Sequence, residues 1–169
     1  MLAARYSAEL FDYRVFTLVS DGDLMEGLSA EAASLAGHLG LDNLIYLYDD
    51  NHISLAGETK VCFTESSAKR YEAYGWHVQQ VDGHDLQAVA NALDAALKHK
   101  GQPKLICCRT LLGFGSPHKA NTHEAHGAPL GKEEVAATKK NLGWSEPADF
   151  AVPADVSAYC CLLYTSDAA

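Results

Sequence analysis

The sequence predicts a doubly wound α/β fold, in which a mainly parallel sheet carries helices on both faces. Short apolar runs rich in β-branched and aromatic residues alternate along the chain with longer segments whose apolar residues recur at helical spacing. Strands that alternate with helices in this way pair in parallel. The length of 169 residues suits one domain with a core of ordinary size.

Four apolar runs predict the strands of this sheet. The second run ends in polar residues, and the fourth contains Cys107 and Cys108, which we interpret as core residues of the strand. The predicted strands are residues 14–20 (RVFTLVS), 43–51 (NLIYLYDDN), 76–83 (WHVQQVDG) and 103–110 (PKLICCRT).

Helical spacing predicts four helices, over residues 26–40, over residues 64–75, after Asp85, and over residues 132–142. The first ends at Gly40, a residue type that commonly stops helices. Thr64 or Ser66 suits the N-cap of the second, and Asp85 that of the third. Apolar residues share one face of the first and third helices: Leu28, Ala32, Leu35 and Leu39 in the first, and Leu86, Val89, Ala90, Leu93, Ala96 and Leu97 in the third.

Composition excludes several classes of function. The net charge is −9 and the 13 Lys and Arg residues are scattered, which argues against a nucleic-acid surface. No apolar run approaches the roughly 20 residues of a membrane span, and residues 1–19 lack the pattern of a signal peptide. The five cysteines are odd in number and contain no C-x-x-C pair, so we interpret them as reduced thiols. We therefore expect a cytoplasmic location.

Polar residues follow the predicted strands at the edge where ligands bind. In a parallel sheet this edge is formed by the carboxyl ends of the strands, and it brings together Asp21, residues 49–51 and the segment after Thr110. A carboxylate beside a phosphate-binding glycine requires a cation between the two, so Asp21 and Gly22 suit a divalent ion that bridges Asp21 to a diphosphate. Asn51, at the end of the next strand, suits a second oxygen ligand. An N-cap role for Asp21 and a turn role for Asn51 remain alternatives.

The segment 111–131 is a long loop with three histidines, and loops of this length inside a compact domain are usually functional or disordered. His118, His123 and His126 suggest a zinc site, although no Cys or HExxH companion accompanies them. Solvated loop histidines are the plainer alternative.

Several motifs resemble a known family. "SDGDLMEG" followed by "YDDNHIS" is similar to the thiamine-diphosphate signature, a G-D-G triplet followed by an Asn at this distance. "RYEAYGWHV", "VDGHD" and "GFGSPHKANTHEAHGAPLG" resemble the diphosphate-binding domain of transketolase, and the resemblance runs from about residue 1 to Trp144. Ser20 departs from the pattern, because the family has Gly at the first position of the triplet.

The resemblance implies a cofactor site. Asp21, the Asn51 side chain and the Ile53 backbone carbonyl match the ligands of Mg²⁺ (or Ca²⁺), and Gly22 and Asn51 match contacts to the diphosphate of thiamine diphosphate. His126 matches the residue that reaches the reacting carbon, where it donates a hydrogen bond to the aminopyrimidine or to a substrate oxygen. His123 is a weaker candidate for the same neighbourhood.

The resemblance also implies partners. Glu26 and Glu31 match glutamates at a homodimer interface that link two active sites, although acidic residues early in a helix also suit its dipole. The family transfers a two-carbon ketol unit from a ketose phosphate to an aldose phosphate, with the cofactor as electron sink. Dihydroxyacetone synthase, deoxyxylulose-phosphate synthase and a non-catalytic metal- or phosphate-binding module are the alternatives.

The chain corresponds to part of such an enzyme. Residues 1–144 are predicted to form a partial diphosphate-binding domain, and 145–169 a linker and a non-native tail that looks like translated sequencing-adapter read-through. The pyrimidine-binding domain and an N-terminal segment lie outside it, because of an incomplete gene read, a split subunit or a cut domain. We therefore expect no turnover from the isolated chain, and an exposed apolar face.

Overall fold

The computed structural model describes residues 2–55, 57–144 and 150–166. They form two compact units: the first takes its described residues from 2–114 and 119–130, and the second from 115–118 and 131–166. The strands are β1 (Val15–Ser20), β2 (Leu44–Asp50), β3 (Ile53–Ser54), β4 (Gly57–Glu58), β5 (His77–Asp82) and β6 (Lys104–Arg109). The helices are α1 (Leu2–Arg5), α2 (Ala8–Phe11), α3 (Asp21–Met25), α4 (Gly27–His38), α5 (Ser67–Ala73), α6 (Leu86–Lys98), α7 (Lys132–Asn141) and α8 (Ala154–Ser166).

The first unit is built on a parallel sheet of four strands in the order β1-β2-β6-β5. All four strands correspond to the four predicted from the sequence. In the register of the sheet Ser20 lies beside Asp49, and Asp50 beside Arg109, so the ends of β1, β2 and β6 meet at one edge. The short antiparallel pair β3–β4 follows β2 and was not predicted.

Both faces of the sheet are covered, as the doubly wound prediction requires. Alternate residues of β6 point to opposite sides: Leu105 and Cys107 belong to one buried cluster, and Ile106 and Cys108 to another. The first cluster takes its helical residues from α3, α4 and α5: Leu24, Ala33, Ala36 and Tyr71. The second takes them from α6: Ala92 and Ala96. The predicted fold class is confirmed.

The helix caps distinguish between the candidates named from the sequence. Ser66, not Thr64, caps α5, because its side chain accepts the Lys69 N–H at 3.3 Å. Asp85 caps α6 as predicted, accepting N–H groups of the first turn at 2.9 and 3.0 Å.

Helix α4 packs through its small residues, and its leucines face outward. Ala33 and Ala36 are buried, whereas Leu28, Leu35 and Leu39 are 76%, 56% and 52% exposed. The reason is that the backbone at Tyr74, directly after α5, approaches α4 closely. A Cβ added at Gly37 would sit 1.8 Å from the Tyr74 carbonyl oxygen, so only the face of α4 that carries small residues can pack there. The leucine stripe is therefore an exposed apolar face, as expected for a partial domain.

The second unit contains α7, which confirms the helix predicted over 132–142, and α8. Helix α8 lies in the segment where the sequence offered no periodicity, and residues 154–162 of it are exposed. Residues 145–149 lie outside the described residues, so the boundary after Trp144 stays a prediction. None of the helices in the described residues combines the length and the hydrophobicity that a membrane span requires.

Candidate functional site

The cap of α3 is made by Ser20, so the N-cap role considered for Asp21 is wrong. The Ser20 side chain accepts the Asp23 N–H at 3.4 Å, and the Asp23 carboxylate accepts the Ser20 N–H at 2.8 Å, which forms a reciprocal capping box. Asp21 is the first residue of the helix. Its carboxylate takes no part in the capping box.

The Asp21 carboxylate is held between two strand ends. Asp21 is 2% exposed. Its Oδ1 accepts a hydrogen bond from the Tyr48 hydroxyl, and its Oδ2 accepts the His52 N–H at 3.1 Å. His52 adopts the left-handed conformation, with φ of 61°, which is uncommon for a residue with a side chain. This conformation occurs in the turn that presents the His52 N–H to the carboxylate.

Asn51 faces the same turn. It is 5% exposed, its Oδ1 accepts the Ile53 N–H at 2.8 Å, and its Nδ2 donates to Asp49 Oδ2 at 3.0 Å. Asn51 therefore serves as a turn residue, the alternative named from the sequence. The oxygens of Asp21 and Asn51 thus accept from consecutive N–H groups of one turn, and an amide oxygen with one hydrogen bond keeps a second lone pair for another partner.

The charge of Asp21 has no full cationic partner nearby. Burial raises the pKa of its carboxyl above the usual value; the Tyr48 and His52 hydrogen bonds oppose this, and the charge of Asp50 adds to it. Burial and the hydrogen bond to Asp21 also raise the pKa of Tyr48. Among the described residues no Lys or Arg pairs with Asp21, and His52 instead pairs through its ring with Asp50 at 3.0 Å. A buried carboxylate in these surroundings favours a bound cation.

A cavity of about 470 Å³ opens at the carboxyl ends of the strands beside Asp21. Gly22 follows Asp21, and a Cβ added there would meet only the Ser20 hydroxyl, at 3.8 Å. Packing within the chain thus does not require a glycine at this position. The residues that bring polar groups to the cavity wall are Asp21, Tyr48, Asp50, His52, Glu58, Thr59, Lys60, Thr64, Glu65, Ser66, Ser67, Gln80, Arg109 and Asn121, and Ile53 also borders it.

His126 follows a 3-10 turn over His123–Ala125. Its Nδ1 is buried, and within the described part of the chain it has no hydrogen-bond partner. His126 does not line the cavity beside Asp21, whereas Asn121 of the same loop does. His123 is exposed.

The zinc alternative gains no support from the geometry. The ring of His118 binds Glu134, with 2.8 Å between Nδ1 and Oε2. In residues 2–55, 57–144 and 150–166, no three His, Cys, Asp or Glu side chains come together to hold a metal ion. The magnesium site predicted from the sequence is of another kind, because it combines one carboxylate with an amide and a backbone carbonyl.

Glu26 and Glu31 lie away from the cavity. Glu26 stands between α3 and α4 and makes no side-chain capping bond, and Glu31 is exposed on α4. Neither lines the cavity beside Asp21. Their predicted place at an interface between subunits stays a prediction.

Comparison with known proteins identifies the family. The model of a family described as transketolase, thiamine diphosphate binding domain, matches residues 1–165. The chain belongs to this family. The match continues past Trp144 into the segment predicted as linker and tail.

Individual transketolases cover the chain almost completely. Transketolase 1 of Aliivibrio fischeri is 53% identical over 161 residues, which span 93% of this chain and 24% of that protein. Transketolase 2 of Escherichia coli is 52% identical over 159 residues, with 92% and 24% covered. The chain thus spans about a quarter of the length of these transketolases.

Solved transketolases have the same fold. The structure of transketolase from Leishmania mexicana superposes with a TM-score of 0.87 at 41% identity, covering 93% of this chain and 24% of that one. A Pichia stipitis transketolase in complex with sedoheptulose-7-phosphate superposes with a TM-score of 0.82 at 46% identity, covering 86% and 22%.

Two residues of this thiamine-diphosphate-binding domain escaped the sequence reasoning. Tyr48 had a weak signal, since a tyrosine near the end of a buried strand needs a partner for its hydroxyl. His52 had none, because its contact with Asp21 is made by its backbone N–H. Both act through Asp21, which is distant from them in the sequence.

Proposed function

We propose that this chain is the diphosphate- and magnesium-binding part of a transketolase, an enzyme that transfers a two-carbon ketol unit from a ketose phosphate to an aldose phosphate. The observation that carries the proposal is the buried Asp21 carboxylate, which borders a strand-end cavity and, among the described residues, forms no ion pair with a Lys or Arg side chain. The quoted relatives are transketolases, which favours this enzyme over dihydroxyacetone synthase.

The donor set suits a small hard cation. Asp21, the amide oxygen of Asn51 and the backbone carbonyl of Ile53 offer three oxygens, and Mg²⁺ takes its remaining ligands from phosphate and water. Asp21 and Ile53 border the same cavity, and Asn51 belongs to the turn between them. Ca²⁺ accepts the same oxygen types, so it is the natural substitute.

The diphosphate would lie next to Gly22. A Cβ at this position would meet no atom closer than 3.8 Å, so the chain leaves space on that side of Gly22 for a large anionic group. A cation held by Asp21 would offset the repulsion between the carboxylate and the phosphates. Ser20 directs its side chain into the capping box, which supports its acceptance at the first position of the triplet.

His126 would act at the reacting end of the cofactor. Its buried Nδ1 lacks a partner in the described part of the chain, and such a nitrogen favours a hydrogen bond to a bound group. As a donor it would stabilise negative charge on a substrate oxygen or orient the aminopyrimidine. Thiamine diphosphate, when bound, supplies the electron sink for ketol transfer.

The remaining parts of the proposal concern the whole enzyme. Its substrates are sugar phosphates of the pentose phosphate pathway, and it acts as a homodimer in which Glu26 and Glu31 face the partner subunit. The outward leucines of α4, the helix that carries Glu31, support such an interface. A cytoplasmic location agrees with the free thiols of Cys62, Cys107 and Cys108. We expect the 169-residue chain, which spans about a quarter of the length of the quoted transketolases, to bind cofactor without turnover.

Calorimetry with the purified chain tests the proposal. Thiamine diphosphate should bind in the presence of Mg²⁺ or Ca²⁺ and lose its affinity in EDTA. Asp21→Ala should weaken binding by about 100-fold or more, ~3 kcal/mol, because the diphosphate then faces no bridging cation. Asp23→Ala is the matched control, since Asp23 is exposed and only caps α3. Binding of ADP and thiamine diphosphate with equal affinity would instead identify a general phosphate-binding module.

A further inference from the structure

Glu134 holds together two segments that are distant in the sequence. It lies in the first turn of α7, and its side chain is 11% exposed. Its Oε1 accepts the His118 N–H at 2.9 Å and the Ser116 hydroxyl, and its Oε2 lies 2.8 Å from His118 Nδ1. These hydrogen bonds, that of Ser116 foremost, lower the pKa of Glu134 to about 2, so the carboxylate stays ionised at neutral pH.

The residues between these segments form a loop. His118 precedes residues 119–130 in the chain, and Gly131 follows them, immediately before α7. A second bond closes the same loop at its ends, since Lys119 Nζ donates to the Leu130 carbonyl at 3.2 Å. Loops whose ends are held close together are compact and frequently functional.

This loop carries His126. Short-range bonds order its interior, among them the Thr122 hydroxyl to the Lys119 carbonyl at 2.8 Å and the His126 N–H to the His123 carbonyl at 2.9 Å. Such local bonds fix individual turns. One bond reaches outside the loop, since the Asn121 N–H donates to the Leu112 carbonyl at 2.7 Å and anchors that part of it. The separation of the loop ends depends on the closing bonds, and an open base would let the rest of the segment, which includes His126, sample more positions.

We propose that Glu134 is a positioning residue, which closes the base of the loop 119–130 by holding the residues before and after it together, and thereby limits the motion of the segment that carries His126. The inference rests on the proposed role of His126 in the site. A histidine that donates a hydrogen bond to a reacting group must be held within a fraction of an ångström, so a loop that carries it needs a rigid base.

Glu133 provides an internal comparison. It is the adjacent residue on the same helical turn, carries the same charge and is exposed. The hydrogen bonds to Ser116 and His118 belong to Glu134 alone of the two. Substitution of either residue changes the net charge and the acidic content of the first turn equally, so a difference between the two variants reports the closing bonds.

Hydrogen–deuterium exchange of the 169-residue chain without cofactor tests the proposal. Glu134→Ala should accelerate exchange of the amides in 119–130 by about 10-fold or more, a loss of about 1.4 kcal/mol of protection. Glu133→Ala should leave them at the wild-type rate. Glu134→Gln keeps one acceptor oxygen for Ser116 and the His118 N–H, so it should recover most of the protection.

Two readouts separate positioning from a purely structural role in α7. Loss of a stabilising carboxylate from the helix alone would change exchange in 132–141 and leave 119–130 and the His126 ring resonances in NMR spectra unchanged. That outcome would overturn the proposal. Coupled changes in 119–130 and in the His126 ring would support it, provided that the amides of β2 and β6 exchange as in the wild type.

A second variant keeps the test decisive if Glu134→Ala fails to fold. The side chain of His118 is 78% exposed, so His118→Ala is tolerated and removes one of the closing bonds. Ser116→Ala removes a second closing bond, so the double variant leaves only the His118 N–H on Glu134. Faster exchange in 119–130 of the double variant would support the proposal, and unchanged exchange would overturn it. Because no cofactor is needed, a failure of thiamine diphosphate binding would refute the proposed function and leave this result standing.

Discussion

Replacing the Asp21 carboxylate by an amide should stabilise the metal-free chain while abolishing metal-dependent cofactor binding. Asn can keep both hydrogen bonds of Asp21: its Oδ1 accepts the His52 N–H, and its Nδ2 donates to the Tyr48 oxygen, which accepts as well as donates. The side-chain volume is nearly unchanged. Only the buried negative charge is removed.

The expected gain follows from two opposing terms. Removal of an unpaired buried charge relieves a desolvation penalty of several kcal/mol, which here is increased by the nearby Asp50. Two hydrogen bonds lose their charge assistance, at a cost of about 1 kcal/mol each. The net gain should be about 1–2 kcal/mol at neutral pH, within the range seen when strained functional residues are replaced.

Urea unfolding of the chain in EDTA at neutral pH measures this gain. Asp21→Asn should shift the midpoint upward without changing the slope, and added Mg²⁺ with thiamine diphosphate should stabilise only the wild type. Asp23→Asn is the matched control, for which we expect a loss of stability instead of a gain. It weakens the capping box with Ser20, so it should lower stability by about 0.5–1 kcal/mol.

The result that would refute this reasoning is a loss of more than about 1 kcal/mol in Asp21→Asn. Asp21 would then be a structural hydrogen-bonding residue whose charge the fold tolerates. Equal stabilisation of wild type and variant by Mg²⁺ with cofactor would show that the cation lies elsewhere.

Three further predictions concern packing, pH and association. Gly37→Ala should lower the free energy of unfolding in urea by about 3 kcal/mol or more, because the added Cβ would overlap the backbone oxygen of Tyr74. Gly27→Ala, with open space around it, should change this free energy by no more than about 0.5 kcal/mol. Similar losses in the two variants would contradict the packing described for α4. Burial lowers the pKa of His77, so the folded state favours the neutral ring. The free energy of unfolding should therefore be fully retained above pH 6.5 and should fall as the pH decreases below it. His77→Asn should flatten this part of the stability-against-pH profile, and an unchanged profile would show that another group causes the loss. The exposed leucines of α4 should make the isolated chain self-associate in analytical ultracentrifugation, and Leu35→Lys should reduce it; a monodisperse wild-type monomer would contradict this.

Local pattern predicted the regular elements because it reports burial on the scale of a turn or a strand. The four strands of the main sheet and the cap at Asp85 follow from such patterns, whereas the choice of Ser66 over Thr64 came from the structure. The pair β3–β4 escaped prediction, since strands of two residues carry no measurable period. The buried face of α4 was not predicted either, because its small residues pack where the Tyr74 backbone approaches the helix at Gly37.

The residues of the candidate site also divide into those that local sequence patterns identified and those that they did not. Asp21, Gly22 and Asn51 were identified because they stand in a short motif at predicted strand ends. The tyrosine that donates to Asp21 was not, because a hydrogen bond across 27 positions has no local trace. Nor could the sequence show that Ser20 caps α3 and leaves the Asp21 carboxylate out of the capping box.

The sequence by itself determined the alternation of the four main strands with helices α4 to α7, the edge of the sheet at which we expect a ligand, and the acid and amide offered there. These follow from periodicity and from residue chemistry, which are local properties. The tertiary structure decided which helix face is buried, what holds the Asp21 charge and how the loop carrying His126 is closed. Those features depend on contacts between residues far apart in the chain, and their energies arise only when folding brings the partners together and removes them from water.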